Sequence, residues 1–557
     1  MSLNFHSLLS WLDYPLKRCP YYSAAFLLSV IYTLHVFPLA FLLGNSGFWF
    51  NTYTDPTQHI SGFWAFANDE WRFPLLHTTL LNAPDGVSVA FTDSIPLMAI
   101  LAKPIYPLLP QGSHYMGLWV FVCYVAQGLA GAWGASVIAK RNPVALLAGT
   151  LFAVMMPSLM IRLPHGALLA QFTLLVALVL YCRVHRRQMT LVAFGLGSTG
   201  LLLFVAGIHP YLLAMLYALY ATTLLSVAWR EWNLRTMLFV VTWCILPLPL
   251  LLLTLYSFGY LAGTGLPPAE NGYTDSSMNL LSPWLGTHLA TSRFLPTEGI
   301  VLDATGMQID GHNYLGLGLI LALCGITLGR PGKTLEFLKA HWIMALLLTG
   351  LIIYSLSNKI YLANHVVLHY PLPRLIEPLT QIFRGSGRFF WPVGYVLLLI
   401  VLRFFLTQSD PRFRVALLAL LALQYADTLN HREYLVESAN REPVFAYDHD
   451  LWNERIGQAS SVYLLPTYGC GASNSDANFL QYFTALHAVP FNSGFVARVS
   501  SDCKAKEKVL DAERQPGEVF IFASEHYTVE QLSVTMGGHN ERWCRQEDIG
   551  IVCIVDK

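Results

Sequence analysis

Eleven long apolar runs punctuate the first three quarters of this chain, and they fix the solvent it must fold in. They fall near 22–44, 114–139, 143–161, 167–183, 189–207, 210–228, 236–258, 313–329, 339–357, 389–407 and 412–429. A helix needs about 20 apolar residues to cross the hydrocarbon of a bilayer. Only 12% of the 557 residues are charged, against roughly 25% in a soluble globular protein. No water-soluble core of this size hides such an apolar surplus. Lys+Arg and Asp+Glu balance at 34 each, so no polybasic surface points to nucleic acid. The 14 Trp and 27 Tyr suit a membrane protein, since both accumulate at bilayer interfaces. The first 20 residues carry Lys17 and Arg18 and lack a small-residue cleavage site, so the first apolar run reads as a retained signal anchor. The sequence predicts an α-helical polytopic membrane protein of about eleven transmembrane helices over 1–429.

The basic residues orient these helices. Lys17/Arg18, Lys140/Arg141, Arg183/Arg186/Arg187, Arg230/Arg235, Arg330/Lys333/Lys339 and Arg403/Arg412/Arg414 all fall on one side, which the positive-inside rule makes cytoplasmic. An odd number of spans then puts residues 430–557 outside, in the periplasm if the membrane is a bacterial inner membrane. Residues 94–110 are apolar enough to suggest a twelfth span, but four prolines and Lys103 favour a re-entrant or interfacial piece of the first outer loop, 45–113. The other long outer loops are 259–312, rich in Gly and Pro, and 358–388. Function usually sits on loops held by a rigid scaffold, so the chemistry is expected on the outer face.

The tail, 430–557, changes character. Charge rises, and β-like runs SSVYLL, EVFIFA and GIVCIV alternate with helical stretches near 476–488 and 504–513. This reads as a small C-terminal α/β extracytoplasmic domain. Cys470, Cys503, Cys544 and Cys553 lie here, an even number that reads as disulfides in an oxidising compartment. Four cysteines allow three pairings, of which Cys544–Cys553 with Cys470–Cys503 is preferred.

Several polar residues stand where the chain leaves the membrane. Asp55, in Asn51-Thr-Tyr-Thr-Asp55-Pro-Thr-Gln58-His59, follows the first span. A carboxylate at that depth is expensive unless paired or functional, and desolvation tunes it toward general-base work. The plainer reading makes Asp55 the N-cap of the next helix with Pro56 in its first turn. Asp69 and Glu70 can orient an acceptor or hold a metal, or simply pair with Arg72. Asp93 can cap the 94–110 segment or face Asp55 across a cavity, into which Gln58 and His59 also project. His165 and His209 lie in short turns on the same side as Asp55, able to meet a phosphate or a sugar hydroxyl, although a lone loop histidine is more often structural. The run Phe383-Arg384-Gly-Ser-Gly-Arg388-Phe-Phe-Trp391-Pro392 sets two arginines at the outer mouth of a span. Arginine's planar fork fits phosphate oxygens; the alternative is snorkelling beside an aromatic belt. Arg374 reads as an interfacial anchor. The sequence contains no HExxH, Walker loop, dinucleotide fingerprint or cysteine metal motif.

Together these features resemble the GT-C glycosyltransferases, multi-pass proteins whose long first outer loop carries an essential acidic residue just after the first span. Asp55 matches that residue and 56–110 the interfacial part of the loop. The runs DPTQHISGFWAF, APDGVSVAFTDSIPLMA, MNLLSP, HNYLGLG and FRGSGRFFWP more narrowly resemble a bacterial family of candidate glycosyltransferases, over residues 50–430. The acidic residue is followed by Pro-Thr-Gln, not by the paired Asp-Glu of some GT-C families, which weakens the case for a dicarboxylate metal site. The resemblance implies a sugar donor on a polyprenyl phosphate, undecaprenyl in bacteria, and a periplasmic glycan, lipid or protein acceptor such as a pilin. It implies Asp55 as base and Arg384, Arg388 and His165 about the donor phosphate, with inversion at the anomeric carbon. No resident cofactor is expected, with a divalent cation left open. Two other classes compete: a lipid-linked glycan transporter or flippase, which would show internal repeats and mid-membrane polar residues, and an O-antigen-type polymerase or ligase, which would not need Asp55.

Overall fold

The computed structural model describes residues 12, 14–261, 272–287, 289–497, 502–535 and 544–555; most of the polar leader and part of the 259–312 loop lie outside the described residues. Every apolar run is helical. Among the described residues, six helices are long and apolar enough to cross a membrane: Arg18–Val36, Met116–Ile138, Gly166–His185, Pro210–Arg230, Leu234–Ser257 and Ser386–Leu406. A bent pair, Pro331–Ala340 and Trp342–Leu356, turns by 95° and makes a seventh if counted as one span. The chain is a helical membrane protein.

The other expected spans are shorter as helices than as apolar runs. Pro143–Val154, Leu191–Ala206, Leu317–Gly329 and Arg412–Asp427 contain 12 to 16 residues. At 1.5 Å per residue they measure about 18–24 Å, short of the ~30 Å hydrocarbon. Local chemistry sets the ends of the short and long helices alike. Pro143, Pro210 and Pro331 stand in the first turns, where a missing N–H costs nothing. The Asn142, Thr190 and Asn233 side chains accept the first free amides. The 94–110 segment forms only the seven-residue helix Pro96–Ala102 and a turn at Tyr106–Leu108, too short to cross.

Small residues bring the helices together. A Cβ at Gly131 of Met116–Ile138 would stand 2.1 Å from the Gly149 carbonyl oxygen of Pro143–Val154, so only glycine allows this approach, as expected where helices associate in lipid.

The tail carries a four-stranded sheet in the order Ser461–Leu465, Glu518–Phe522, Gly550–Ile554, Cys544–Glu547. The first pair is parallel and the other two antiparallel. Cys544 and Cys553 are register partners and are disulfide-bonded, as are Cys470 and Cys503, the pairing preferred from sequence. The helix near 476–488 is Asn474–Leu486; the stretch near 504–513 is two short turns, Cys503–Glu507 and Lys508–Asp511.

This sheet-bearing unit lies against the first loop. Leu81 bridges to Phe491, the Asn82 amide donates to the Ser493 carbonyl at 2.8 Å, and the Ala497 amide to the Phe91 carbonyl at 2.8 Å. Helix Asn474–Leu486 packs on helix Asp55–Ala67. The tail therefore helps to fix the element that carries Asp55.

Candidate functional site

Asp55 opens the 13-residue helix Asp55–Ala67, with Thr54 as its N-cap and no side chain capping the first turn. The plain capping role therefore fails: the Asp55 carboxylate points elsewhere. Its Oδ2 lies 3.3 Å from His165 Nδ1. Its side chain is 41% exposed but enclosed by protein on several sides, as in a cleft. Burial raises its pKa above the ordinary carboxylate value, the Asp310 charge adds to the rise, and Arg388 opposes it. His165 is pushed down to about 3, by burial first and by the Arg388 charge next. It is thus a neutral imidazole at neutral pH, and its contact with Asp55 is a polar one between a carboxylate and an uncharged ring.

Beneath this pair lies a buried ionic triad that sequence reasoning missed. Asp310 accepts from Arg162 Nη1 at 2.5 Å and from Arg388 Nη2 at 3.0 and 2.9 Å. Arg162 also donates to the Ile309 carbonyl. The Arg162 side chain is 1% exposed and that of Arg388 13%. Burial alone would raise the Asp310 pKa; Arg388 and then Arg162 overcome it and hold the carboxyl well below its usual range. Arg388, expected at a donor phosphate, is already held by Asp310 and stacks over Tyr211, 4.7 Å from the ring centroid. The signal for the triad was present in Met-Ile-Arg162-Leu-Pro: an arginine inside an apolar stretch requires a carboxylate partner, though nothing local says which.

Arg384 differs. No ion pair engages it among the described residues, and its chain runs beside Gly272, where a Cβ would stand 2.9 Å from Arg384 Cδ. The Gly385 amide donates to Tyr211 Oη at 2.7 Å and the Asn313 side chain to the Gly387 carbonyl at 2.9 Å, which anchors the loop between the two arginines. Asp55 and Arg384 both lie within electrostatic range of Tyr468 of the tail. The Tyr468 ring packs edge-on against Phe495 at 5.1 Å, and the Phe495 carbonyl accepts from Gln58, one turn along the Asp55 helix.

A second acid–histidine pair stands nearby. His209 Nδ1 accepts from the Tyr211 amide at 3.1 Å, which leaves Nε2 to carry the hydrogen, 3.7 Å from Asp93 Oδ1. Asp93 lies within electrostatic range of Arg388 and holds a left-handed backbone, φ 52°. It ends a short turn and does not cap the Pro96–Ala102 helix, for which no side-chain cap exists. His59 is buried, its Nε2 without a hydrogen-bond partner, and burial lowers its pKa to about 3.

Asp69 and Glu70 require a correction: the structure does not bring them to this site. They lie beyond the far end of the Asp55–Ala67 helix, about 20 Å along at 1.5 Å per residue. Asp69 bonds Arg72 at 2.5 Å, Thr78 Oγ1 at 2.9 Å and the Thr79 amide at 2.7 Å. Burial opposes its ionisation, but these bonds hold its pKa below the usual value. Glu70 is 86% exposed. Both fold the loop locally.

The tail supplies the last supports. Asn478 Nδ2 donates to the Thr52 and Thr54 carbonyls at 3.0 and 3.1 Å, holding the turn that presents Asp55. Gln481 Nε2 donates to Ser61 Oγ at 2.8 Å and its Oε1 accepts from the Phe495 amide at 2.7 Å. A cleft with about 50 Å³ of free volume is lined by Phe48, Asn51, Thr54, Pro56, Pro164, Tyr434, Ser438 and Arg441; its walls include the chain neighbours of Asp55 and His165 but not those two side chains. Among the described residues, no group of three or more His, Cys, Asp or Glu side chains is placed to hold a metal ion.

A helical membrane protein with a charged cluster where loops meet span ends is the class these features define. The chain belongs to the DUF6311 family: the domain of unknown function DUF6311 matches residues 26–429, and the DUF6311 C-terminal domain matches 451–555. No curated protein matches it.

Proposed function

We propose that the protein is an integral-membrane inverting glycosyltransferase of GT-C type, taking a sugar from a polyprenyl-phosphate donor and passing it to an acceptor outside the cytoplasm. The observation that carries this reading is the pairing of a half-exposed Asp55, free of any capping duty and raised in pKa, with an Arg384 that no carboxylate neutralises among the described residues. The acceptor hydroxyl attacks the anomeric carbon, the bond from that carbon to the phosphate oxygen breaks, and Asp55 takes the hydroxyl proton. Arg384 stabilises the charge gathering on the departing lipid phosphate, and the Arg162–Asp310–Arg388 triad adds net positive charge behind it. His165 orients the Asp55 carboxylate.

On this reading eleven helices cross a bacterial inner membrane, the shorter ones through a locally thin or water-lined region, with the N-terminus cytoplasmic. The tail then forms a periplasmic α/β domain. The two disulfides agree with an oxidising compartment, and the tail's hold on the Asp55 turn through Asn478 supports a tail that shapes the acceptor side. The test uses protein in nanodiscs with radiolabelled polyprenyl-phosphate sugar. Release of free polyprenyl phosphate with label passed to acceptor supports the enzyme. Movement of intact lipid-linked sugar across a proteoliposome membrane, with no release, would assign transport instead.

A further inference from the structure

The stretch between Trp342–Leu356 and Ser386–Leu406 has an unusual surface. Lys359–Leu362 and His365–His369 form an antiparallel hairpin, and Glu377–Ile382 is a short helix just before Arg384. A strand with one buried face alternates in exposure, yet all five residues of His365–His369 are exposed. Val366, Val367 and Leu368 are 45–53% exposed, and Leu375 is 91% exposed. Ile376, Leu379 and Ile382 continue the apolar surface. A contiguous patch of this kind marks an interaction surface, and a lone two-stranded hairpin is at best marginal in water.

Position and charge say what covers it. The segment is short and tied at both ends to helices that pack in the membrane half: Trp342–Leu356 contacts Pro210–Arg230 and Ser386–Leu406. It is also pinned flat against the 259–312 loop, where the Leu280 amide donates to the Tyr361 carbonyl at 2.9 Å and Asn279 Nδ2 to the Ala363 carbonyl at 2.8 Å. Its apolar surface continues the outward faces of those helices, such as Leu346 and Ile353 on Trp342–Leu356. Basic and imidazole groups, Lys359, His365, His369 and Arg374, stand among the apolar side chains, the composition of an element lying in the headgroup region of anionic lipid.

We propose that residues 359–382 form a membrane-interfacial lip, the apolar side chains of the hairpin and of the 375–382 stretch seated among lipid acyl chains. Inward from the lip, Tyr354 Oη donates to the Leu379 and Phe383 carbonyls at 3.3 and 3.2 Å. The Phe383, Phe389, Tyr211 and Tyr354 rings then lie edge to edge. This aromatic wall ends at Arg384, so the lip is the place where the tail of a lipid-linked substrate meets the protein. That last role, and the assignment to the outer leaflet, rest on the proposed function; contact with lipid does not.

The test needs no substrate, so it succeeds or fails independently of glycosyl transfer. The full-length protein in phosphatidylethanolamine–phosphatidylglycerol nanodiscs is photolabelled with an acyl-chain diazirine or, separately, with a water-soluble carbene reagent, and the labelled residues are located by mass spectrometry. Residues 366–368 and 375–382 should take acyl-chain label about as heavily as Leu346 and Ile353, and about tenfold more than Leu451, an equally exposed leucine of the tail. Labelling by the aqueous reagent alone would overturn the proposal. So would protection from both reagents, which would mean that protein, such as a second copy of the chain, covers the patch.

Discussion

The site contains two charged regions a few residues apart that behave in opposite ways. In the buried triad, one carboxylate satisfies two guanidinium groups, all three side chains are nearly out of solvent, and Asp310 stays ionised far below the usual pH. At the rim, Asp55 and His165 are partly open, and the environment pushes each toward its neutral form. The same low-dielectric surroundings act on both. Where opposite charges are close and bonded, ionisation is locked; where they are not, burial prevails and shifts each group toward its neutral form. Of the two arginines in Arg384-Gly-Ser-Gly-Arg388, the second is held by Asp310 and the first has no ion pair among the described residues.

Breaking the triad should have the largest effect. Asp310→Ala leaves two buried guanidinium groups uncompensated, which should cost about 3–5 kcal/mol and appear as a large fall in thermal stability in detergent. An unchanged melting temperature would mean that the triad does not hold the loops. At the rim, Arg384→Ala should weaken donor-lipid binding by about 10- to 150-fold, the worth of a charged hydrogen bond of roughly 1.5–3 kcal/mol, with stability retained. Arg388→Ala should cost more stability and less binding, since it breaks the triad and removes only the charge behind the phosphate. Equal effects of the two substitutions on binding would erase the distinction drawn here.

Titration sharpens the same contrast. His165 titrates at about 3 in the folded protein, against an ordinary value of 6.5, so between these values the unfolded chain binds the extra proton. Its contribution is fully present above 6.5 and is lost as pH falls toward 3. His165→Gln should flatten the decline of melting temperature over that window; an unaltered slope would show that His165 is not held neutral. The smallest effect is expected from Asn478→Ala, which removes two hydrogen bonds behind the Asp55 turn. It should cost about 1 kcal/mol and lower turnover modestly without shifting the acid limb of the pH–rate profile. A shifted limb would mean that Asn478 tunes the carboxylate itself.

Much of the rim was legible in the sequence, because residues such as Asp55, Asp93, His165 and His209 stand where apolar runs end, and a polar group at that depth needs a reason. Asp310 was not. It sits in a Gly- and Pro-rich loop among Asp275 and Asp303, and only its approach to Arg162, 148 residues away, sets it apart. Asp69 misled for the opposite reason: an acidic pair on a long loop resembles a ligand set until its own loop is seen to satisfy it. The helices were legible in place but not always in length, since an apolar run can continue past the point at which its helix stops, as the 143–161 run passes the end of Pro143–Val154 and Pro157. In the tail, alternation marked three of the four strands, while Cys544–Glu547 is too polar to announce itself.

The central claim is that Asp55 takes the acceptor's proton, and one substitution tests it most directly. Asp55→Asn keeps the side chain's shape, and no capping bond is lost because Asp55 makes none. With donor-lipid binding measured in parallel, the variant should bind as the wild type does while transfer falls by about 10²–10⁴, the usual worth of a positioned general base. The acid limb of the wild-type rate profile, shifted upward by the burial that raises the Asp55 pKa, should vanish with it. Transfer near the wild-type rate by folded Asp55→Asn protein would contradict the account.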